Sequence, residues 1–347
     1  MNSVPNEQQI RDTLAKVPYP GFSRDIISFG VVKGITLGEE IAVQLVVATN
    51  DTGIANELRD RVLKALSLIV GDRPVKVLID VQAPLQSGGQ GPIVIPGVKH
   101  VIAVASGKGG VGKSMVAVNF AASLASQGLS VGLCDCDLYG PSVALMCGTK
   151  ELPAADDEGK ILPVVCHGLR IMSMGLLLED DSPAVLRGPM VSRYTQQFLR
   201  NVAWGELDVL VLDLPPGTGD IQLTIVQTVP LAGALIVTTP QEVALIDARK
   251  AVAMFQKTNV RILGIIENMA FFIAPSDGSR HEIFGNGGGE KEAKHLEVPF
   301  LGSLPLDPTI RIASDAGTPF VVSHPENPAA KLIANAASKV AAAIKTT

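Results

Sequence analysis

The chain has 347 residues, 47% of them hydrophobic and 18% charged, with a formal net charge of −5. That length suffices for about two domains with buried cores. An acidic balance with no run of lysine or arginine excludes a broad nucleic-acid-binding surface. The opening MNSVPNEQQIRDTL lacks the basic-then-apolar order of a secretion signal, so a cytoplasmic protein is expected, with neither nucleic acid nor membrane as partner.

In chain order, residues 7–17 have helical spacing, 26–32 and 41–47 read as strands, 54–70 as an amphipathic helix and 75–81 as a third strand. The run QAPLQSGGQGPIVIPG (82–97) then replaces periodic structure with glycine, proline and glutamine, the composition of a linker. The organisation read from this is a small α/β module over 1–82, a linker over 83–98 and a larger domain over 99–347. In the larger domain, strands at 101–105, 130–136, 208–213, 233–238, 261–266 and 300–304 alternate with helical segments. Such alternation gives an α/β fold, a doubly wound and mostly parallel sheet covered on both faces, whose ligands gather beyond the carboxyl ends of the strands. Two uncharged stretches, 114–134 and 221–241, are long enough to suggest membrane spans. Gly128 splits the first into helix and strand, and Pro230 with Gly233 splits the second, so neither crosses a bilayer.

The first strand of the larger domain, VIAVAS (101–106), runs straight into GKGGVGKS (107–114). Gly107, Gly109, Gly110 and Gly112 allow a tight backbone whose N–H groups can cradle phosphate oxygens, and the helix that follows adds the positive end of its dipole. The order of strand, glycine-rich loop and helix is that of a P-loop, so ATP contacts are expected from Gly107 through Lys108, Gly109, Gly110, Val111, Gly112, Lys113 and Ser114 to Met115. Lys113 takes the position that reaches the β- and γ-phosphates, and the Ser114 hydroxyl that of a Mg2+ ligand. Lys108 is one lysine more than an ordinary loop needs. It is useful if it reaches the nucleotide of a neighbouring subunit, which makes a homodimer the expected assembly.

Two further strand ends carry carboxylates. CDCDLYGPS (134–142) presents Asp135 and Asp137 on one face of its strand. Asp135 is assigned to the Mg2+ shell through water, or else caps the following turn, and Asp137 orients or deprotonates the attacking water. VLVLDLPPGTGD (209–220) ends its strand at Asp213, where a carboxylate holds Mg2+ through water. Pro215, Pro216 and Gly217 follow as a segment able to sense the γ-phosphate.

These motifs resemble the deviant-loop ATPases, and among them the Mrp/ApbC iron–sulfur carriers. DCDLYGPS, LDLPPGTGD, GIIENMAFF, EIFGNGGG and DAGTPFVV all look like segments of that family, and RDIISFGVVKGI is similar to its small amino-terminal domain associated with iron–sulfur assembly. The resemblance implies that Asn268 contacts the adenine and that Pro305 and Asp307 line the base pocket; from the residues alone, Asn268 is a strand-end polar group able to pair with base or backbone. It also implies apoprotein recipients or iron–sulfur assembly proteins as partners. The chain departs from the family after ENM, where a Cys-x-x-Cys pair is usual: Ala274 and Asp277 stand at those positions, so no cysteine ligands of the usual sort support a bound iron–sulfur cluster.

The four cysteines, Cys134, Cys136, Cys147 and Cys166, lack metal-type spacing and read as free thiols, the first two in the core. Cys166 and His167 are expected on opposite faces of a strand, and His281, His295 and His324 as solvated side chains. A reading from another class is a positioning ATPase of the Min or Par type. The carboxyl-terminal AAKLIANAASKVAAAIKTT has mostly alanine on its apolar face, too little area for membrane capture, and reads as a helix packed on the core.

Overall fold

The computed structural model describes residues 5–20, 25–27, 30–38, 40–48, 52–71, 73–82, 94–156, 159–176 and 199–345. The chain forms two compact units, the first containing the amino-terminal segment and the excursion Ala155–Lys160, the second most of the chain from residue 91 onwards. Most of the sequence read as a linker, 83–93, lies outside the described residues.

The amino-terminal unit is a three-stranded sheet with two helices. Helix α1 (Glu7–Leu14) opens with a reciprocal capping box between Asn6 and Gln9. It is shorter than the 7–17 expected, because Val17 precedes Pro18 and leaves the helical region, using its carbonyl to accept the N–H of Ile26 instead. The expected strand at 26–32 lies further on: Gly30 turns the chain at φ 69°, and strand β1 runs Val32–Leu37. β1 pairs antiparallel with β2 (Ile41–Ala48), which pairs parallel with β3 (Val75–Gln82) across the connecting helix α2 (Thr52–Val70). Ala55, Leu58, Val62 and Leu66 form the buried stripe of α2 at helical spacing, and Ile41, Val43 and Leu45 the buried face of β2 at strand spacing.

The second unit is an eight-stranded sheet. β4 (Val98–Ala105), β5 (Val131–Asp135), β8 (Leu207–Asp213), β9 (Gly233–Thr238), β10 (Ile262–Glu267) and β13 (Phe300–Ser303) are the six strands expected, each within two or three residues of its predicted limits. The order is β13-β10-β9-β4-β8-β5-β7-β6, all parallel except β6 (Val164–Cys166), which returns antiparallel beside β7 (Leu169–Ser173). The turn of that hairpin is His167 and Gly168 at φ 50° and 75°, so His167 is a turn residue rather than a strand neighbour of Cys166. A short hairpin, β11 (Phe272–Ile273) with β12 (Arg280–His281), stands apart from the sheet.

The central strand β4 lies between β8 and β9, buried from Val101 to Ala105, and its chain crosses to β5 through helix α3 (Lys113–Ser126). Beyond it, the connection from β8 turns the other way, through α5 (Asp220–Thr228) to β9. This reversal opens the crevice where open α/β sheets bind ligands. Helix α3 is mostly apolar and buried from Val116 to Leu124, and the carboxyl-terminal helix α10 (Pro328–Lys345) packs on it, burying Ile333, Ala336, Ala337, Val340 and Ile344. The terminal helix thus covers the core, as its alanine-rich face implies. No helix among the described residues is long and apolar enough to cross a membrane.

Candidate functional site

The glycine-rich loop bends as its sequence requires. Gly110 and Gly112 both sit at φ 80°, and a Cβ on Gly112 would lie 2.2 Å from the Asn268 amide nitrogen. Gly107 is pressed against helix α6 (Glu242–Lys257), where a Cβ would lie 2.1 Å from the Asp247 backbone. Helix α3 begins at Lys113 with no side-chain cap and no acidic residue in its first turn, so the orphan N–H groups at its positive end are left to an anion.

Lys113 is 6% exposed, and its Nζ donates to Asp213 Oδ1 at 2.5 Å and to Ser114 Oγ at 3.2 Å. Asp213 is fully buried at the end of β8, and its Oδ2 has no hydrogen-bond partner among the described residues. Burial pushes the Asp213 carboxyl up from its ordinary range, against the pull of Lys113 and the Ser114 hydroxyl beside it.

Asp135 is the register partner of Asp213 on the adjacent parallel strand, so two carboxylates meet at the end of the sheet. Burial first, then the charge of Asp213, lift Asp135 to about 7. Its Oδ2 accepts the N–H groups of Ser142 (3.0 Å) and Val143 (3.1 Å) and the Ser173 hydroxyl (3.0 Å), while Oδ1 accepts the Asp137 N–H (3.1 Å). This is the turn-capping arrangement left open for Asp135 by the sequence. Asp137 is half-buried, and its Oδ1 takes the N–H groups of Tyr139 and Gly140, each at 3.2 Å.

Asn268, 2% exposed, donates from Nδ2 to the Val111 carbonyl at 2.9 Å and so braces the loop through its backbone. Met115 is half-buried against the core, its carbonyl accepting Asn119 Nδ2. Gly109 is exposed, its Cβ position 4.0 Å from Pro216, and Gly217 N–H donates to the Ser106 carbonyl. Lys108 is half-buried; among the described residues its ammonium makes no ion pair. Pro305 and Asp307 border a cavity of about 450 Å³ that also touches Phe271, Ile273 and Leu332. Asp307 caps helix α8 (Pro308–Asp315) by accepting the Thr309 N–H, and the backbone bonds Ala270 N to Leu304 O and Leu306 N to Phe271 O tie this loop to the segment following Asn268.

Ser173 escaped the sequence reading, although VVCHGLRIMS carries the signal that places it: two apolar runs joined by a two-residue turn ending in glycine. The cysteines are core or near-core thiols. Cys134 and Cys136 are buried with sulfurs 3.9 Å apart, burial pushes Cys134 well up, and Cys147 is raised to about 12 by the same cause. Ala274 and Asp277 lie in the loop of the β11–β12 hairpin, where Asp277 accepts the N–H and hydroxyl of Ser279, whose oxygen lies 2.8 Å from His281 Nε2. His281, His295 and His324 are exposed.

Residues 97–341 match the family of NUBPL iron-transfer P-loop NTPases, within the ParA group. The chain belongs to that family. It is similar to an iron–sulfur cluster carrier protein from Deinococcus radiodurans, 45% identical over 95% of this chain and 93% of that one. A carrier protein of the same description from Escherichia coli K12 is 40% identical, over 96% of this chain and 91% of that one. Among solved structures, a nucleotide-binding protein from Archaeoglobus fulgidus in complex with ADP is 37% identical with a TM-score of 0.59, covering 68% of this chain and 92% of that one. The MinD cell-division ATPase of Pyrococcus furiosus, 24% identical with a TM-score of 0.54, shares the fold. As an ATP-binding P-loop NTPase of the iron–sulfur carrier family, the chain has the mostly parallel sheet and small amino-terminal α/β module read from its sequence, with the β6–β7 hairpin added to the six strands expected.

Proposed function

We propose that the chain hydrolyses Mg-ATP as a homodimer and uses the cycle to deliver iron–sulfur clusters to apoproteins or to an assembly partner. The observation that carries the reading is the buried Lys113, held at the head of an uncapped helix between Asp213 and Ser114. A triphosphate entering the loop meets a cation, several free N–H groups and a helix dipole already in place, and such preorganisation is what stabilises charge as it develops.

The residues fit magnesium: Ser114 offers a hydroxyl, and Asp213 has a buried carboxylate oxygen without a hydrogen-bond partner among the described residues. Ser114 would hold the ion directly, with Asp213 and Asp135 acting through water. When bound, magnesium neutralises charge on the β- and γ-phosphate oxygens. Asp137 holds the attacking water and takes its proton. Lys108, with no ion pair among the described residues of its own chain, is free to reach the phosphates of a second copy. Asn268 secures the loop through Val111, and Pro305 and Asp307 border the base. Cluster delivery is supported by the relatives, which are described as carriers, over nearly the whole chain. With Ala274 and Asp277 in place of thiolates, this chain takes cluster ligands from a partner or serves as the assembly ATPase.

Phosphate release measured over a dilution series of the full chain tests the reading. Specific activity is expected to fall as dimers dissociate. Turnover that is magnesium-independent, or constant down to concentrations where scattering shows single copies, would overturn it.

A further inference from the structure

Helix α5 turns residues 222, 225 and 226 towards the core, and the last two are Ile225 and Val226, followed by the buried Val229 just past the helix end, as a buried stripe requires. The first is Gln222. It is 1% exposed, and neither its amide nitrogen nor its amide oxygen has a hydrogen-bond partner among the described residues. An unpaired buried amide destabilises a fold, whereas methionine or leucine at the same place would not. Packing therefore gives no reason for the glutamine.

Its surroundings give one. Gln222 lines a cavity of about 390 Å³ whose walls include Asp137, Pro215, Pro216 and Gly219. The cavity borders the segment that follows Asp213, and that segment adjoins the phosphate loop: Pro216 stands beside Gly109, and Gly217 is bonded to Ser106. A cavity of this size with a carboxylate on its wall suits ordered water, which needs two to four polar partners, and the covered Gln222 amide on the same wall reaches such a water by turning about its side-chain bonds. An amide offers an acceptor and a donor together, the pair needed to fix both the position and the orientation of one water molecule.

We propose that Gln222 is a water-positioning residue for ATP hydrolysis, an inference that rests on the ATPase reading above. Gln222 Oε1 accepts from the attacking water and Nε2 donates to it, while Asp137 takes the proton that the water loses. The water oxygen bonds to the γ-phosphorus, the bond from that phosphorus to the bridging oxygen breaks, and ADP leaves with the electron pair. Turned towards the cavity, the amide gains its missing partners when this water is present, which gives a reason for a glutamine at a core-facing position.

The test replaces the amide by an apolar chain of similar size, Gln222→Met, with Gln222→Leu as a second variant should the first fail to fold. In the full chain with Mg-ATP, kcat is expected to fall about tenfold to a hundredfold while KM and affinity for a non-hydrolysable ATP analogue stay within about twofold. The thermal midpoint is expected to hold or rise, because a buried unpaired amide has been removed. A kcat equal to wild type, or a fall in kcat matched by lower Tm and weaker nucleotide binding, overturns the proposal. Absence of turnover in the wild-type chain removes the ATPase reading itself, whereas normal wild-type turnover with an unaffected variant removes only the role of Gln222.

Discussion

The phosphate-loop end of the sheet and the β11–β12 hairpin treat polar groups in opposite ways. At the first, Lys113, Asp213 and Asp135 are buried and interlocked with strand ends and helix starts, so each is positioned by the packing of the whole unit. At the second, Asp277, Ser279 and His281 are bonded to one another within one short hairpin and stay largely open to solvent. One partner of a buried charge pair cannot be removed without damage to the fold, whereas exposed hairpin residues can be exchanged singly. The positions at which the resemblance implies a Cys-x-x-Cys pair, Ala274 and Asp277, fall in the second region. The nucleotide machinery is thus tied to the architecture, whereas Ala274 and Asp277 lie in a hairpin loop whose residues can change with the fold intact.

Lys113→Ala should give the largest effect, because it removes the phosphate ligand and leaves Asp213 buried without its partner. Nucleotide binding is expected to vanish and stability to drop by about 3–5 kcal/mol in denaturant titration; a variant as stable as wild type would show that the pair is not part of the framework. Lys108→Ala, at a site with no ion pair among the described residues, should keep nucleotide affinity and stability but slow turnover by about 10³-fold, and undiminished hydrolysis would remove the trans role. Asp137→Ala should bind ATP and cleave it about 10²-fold more slowly, as read by single-turnover phosphate release, with wild-type rates arguing against its work on water.

On the hairpin side, Ala274→Cys/Asp277→Cys should leave Tm nearly unchanged. After anaerobic reconstitution with iron and sulfide it should raise retained iron towards about two atoms per chain, half of a four-iron cluster shared by two copies. Iron no higher than in the wild-type chain would mean that the hairpin is not a ligand platform here. The smallest effect concerns pH. Asp135 in the folded chain titrates near 7 against an ordinary 3.8, so between those values the folded state binds more protons than the unfolded state and loses stability as pH rises. In nucleotide- and magnesium-free protein, the Tm of Asp135→Asn relative to wild type should therefore climb between about pH 4 and about pH 7, and a constant difference would assign Asp135 an ordinary titration.

Much of the site was legible because its parts are contiguous. The loop 107–114 states its own conformation, since only glycine takes φ near +80° at Gly110 and Gly112 without strain. Asp213 and Asp135 were found because acidic residues end otherwise apolar strand runs. The β6–β7 hairpin went unread, and Ser173 with it, although its His-Gly turn was visible. Gln222 gave no signal at all: a glutamine near the start of a helix is ordinary until its burial is known. The first strand of the amino-terminal unit was placed too early because the apolar run that announced it is interrupted at Gly30 by a turn that propensity does not reveal.

By itself, the sequence determined the alternation of strands and helices, the phosphate cradle and the absence of a thiolate pair, since each is a property of neighbouring residues and of backbone preference. Tertiary structure alone decided which distant groups meet. Asp135 faces Asp213 because β5 and β8 are register partners, Asn268 reaches Val111 across 157 positions, and Lys113 finds Asp213 across 100. Such pairings depend on the order of strands in the sheet, a property of the folded chain that local spacing does not encode.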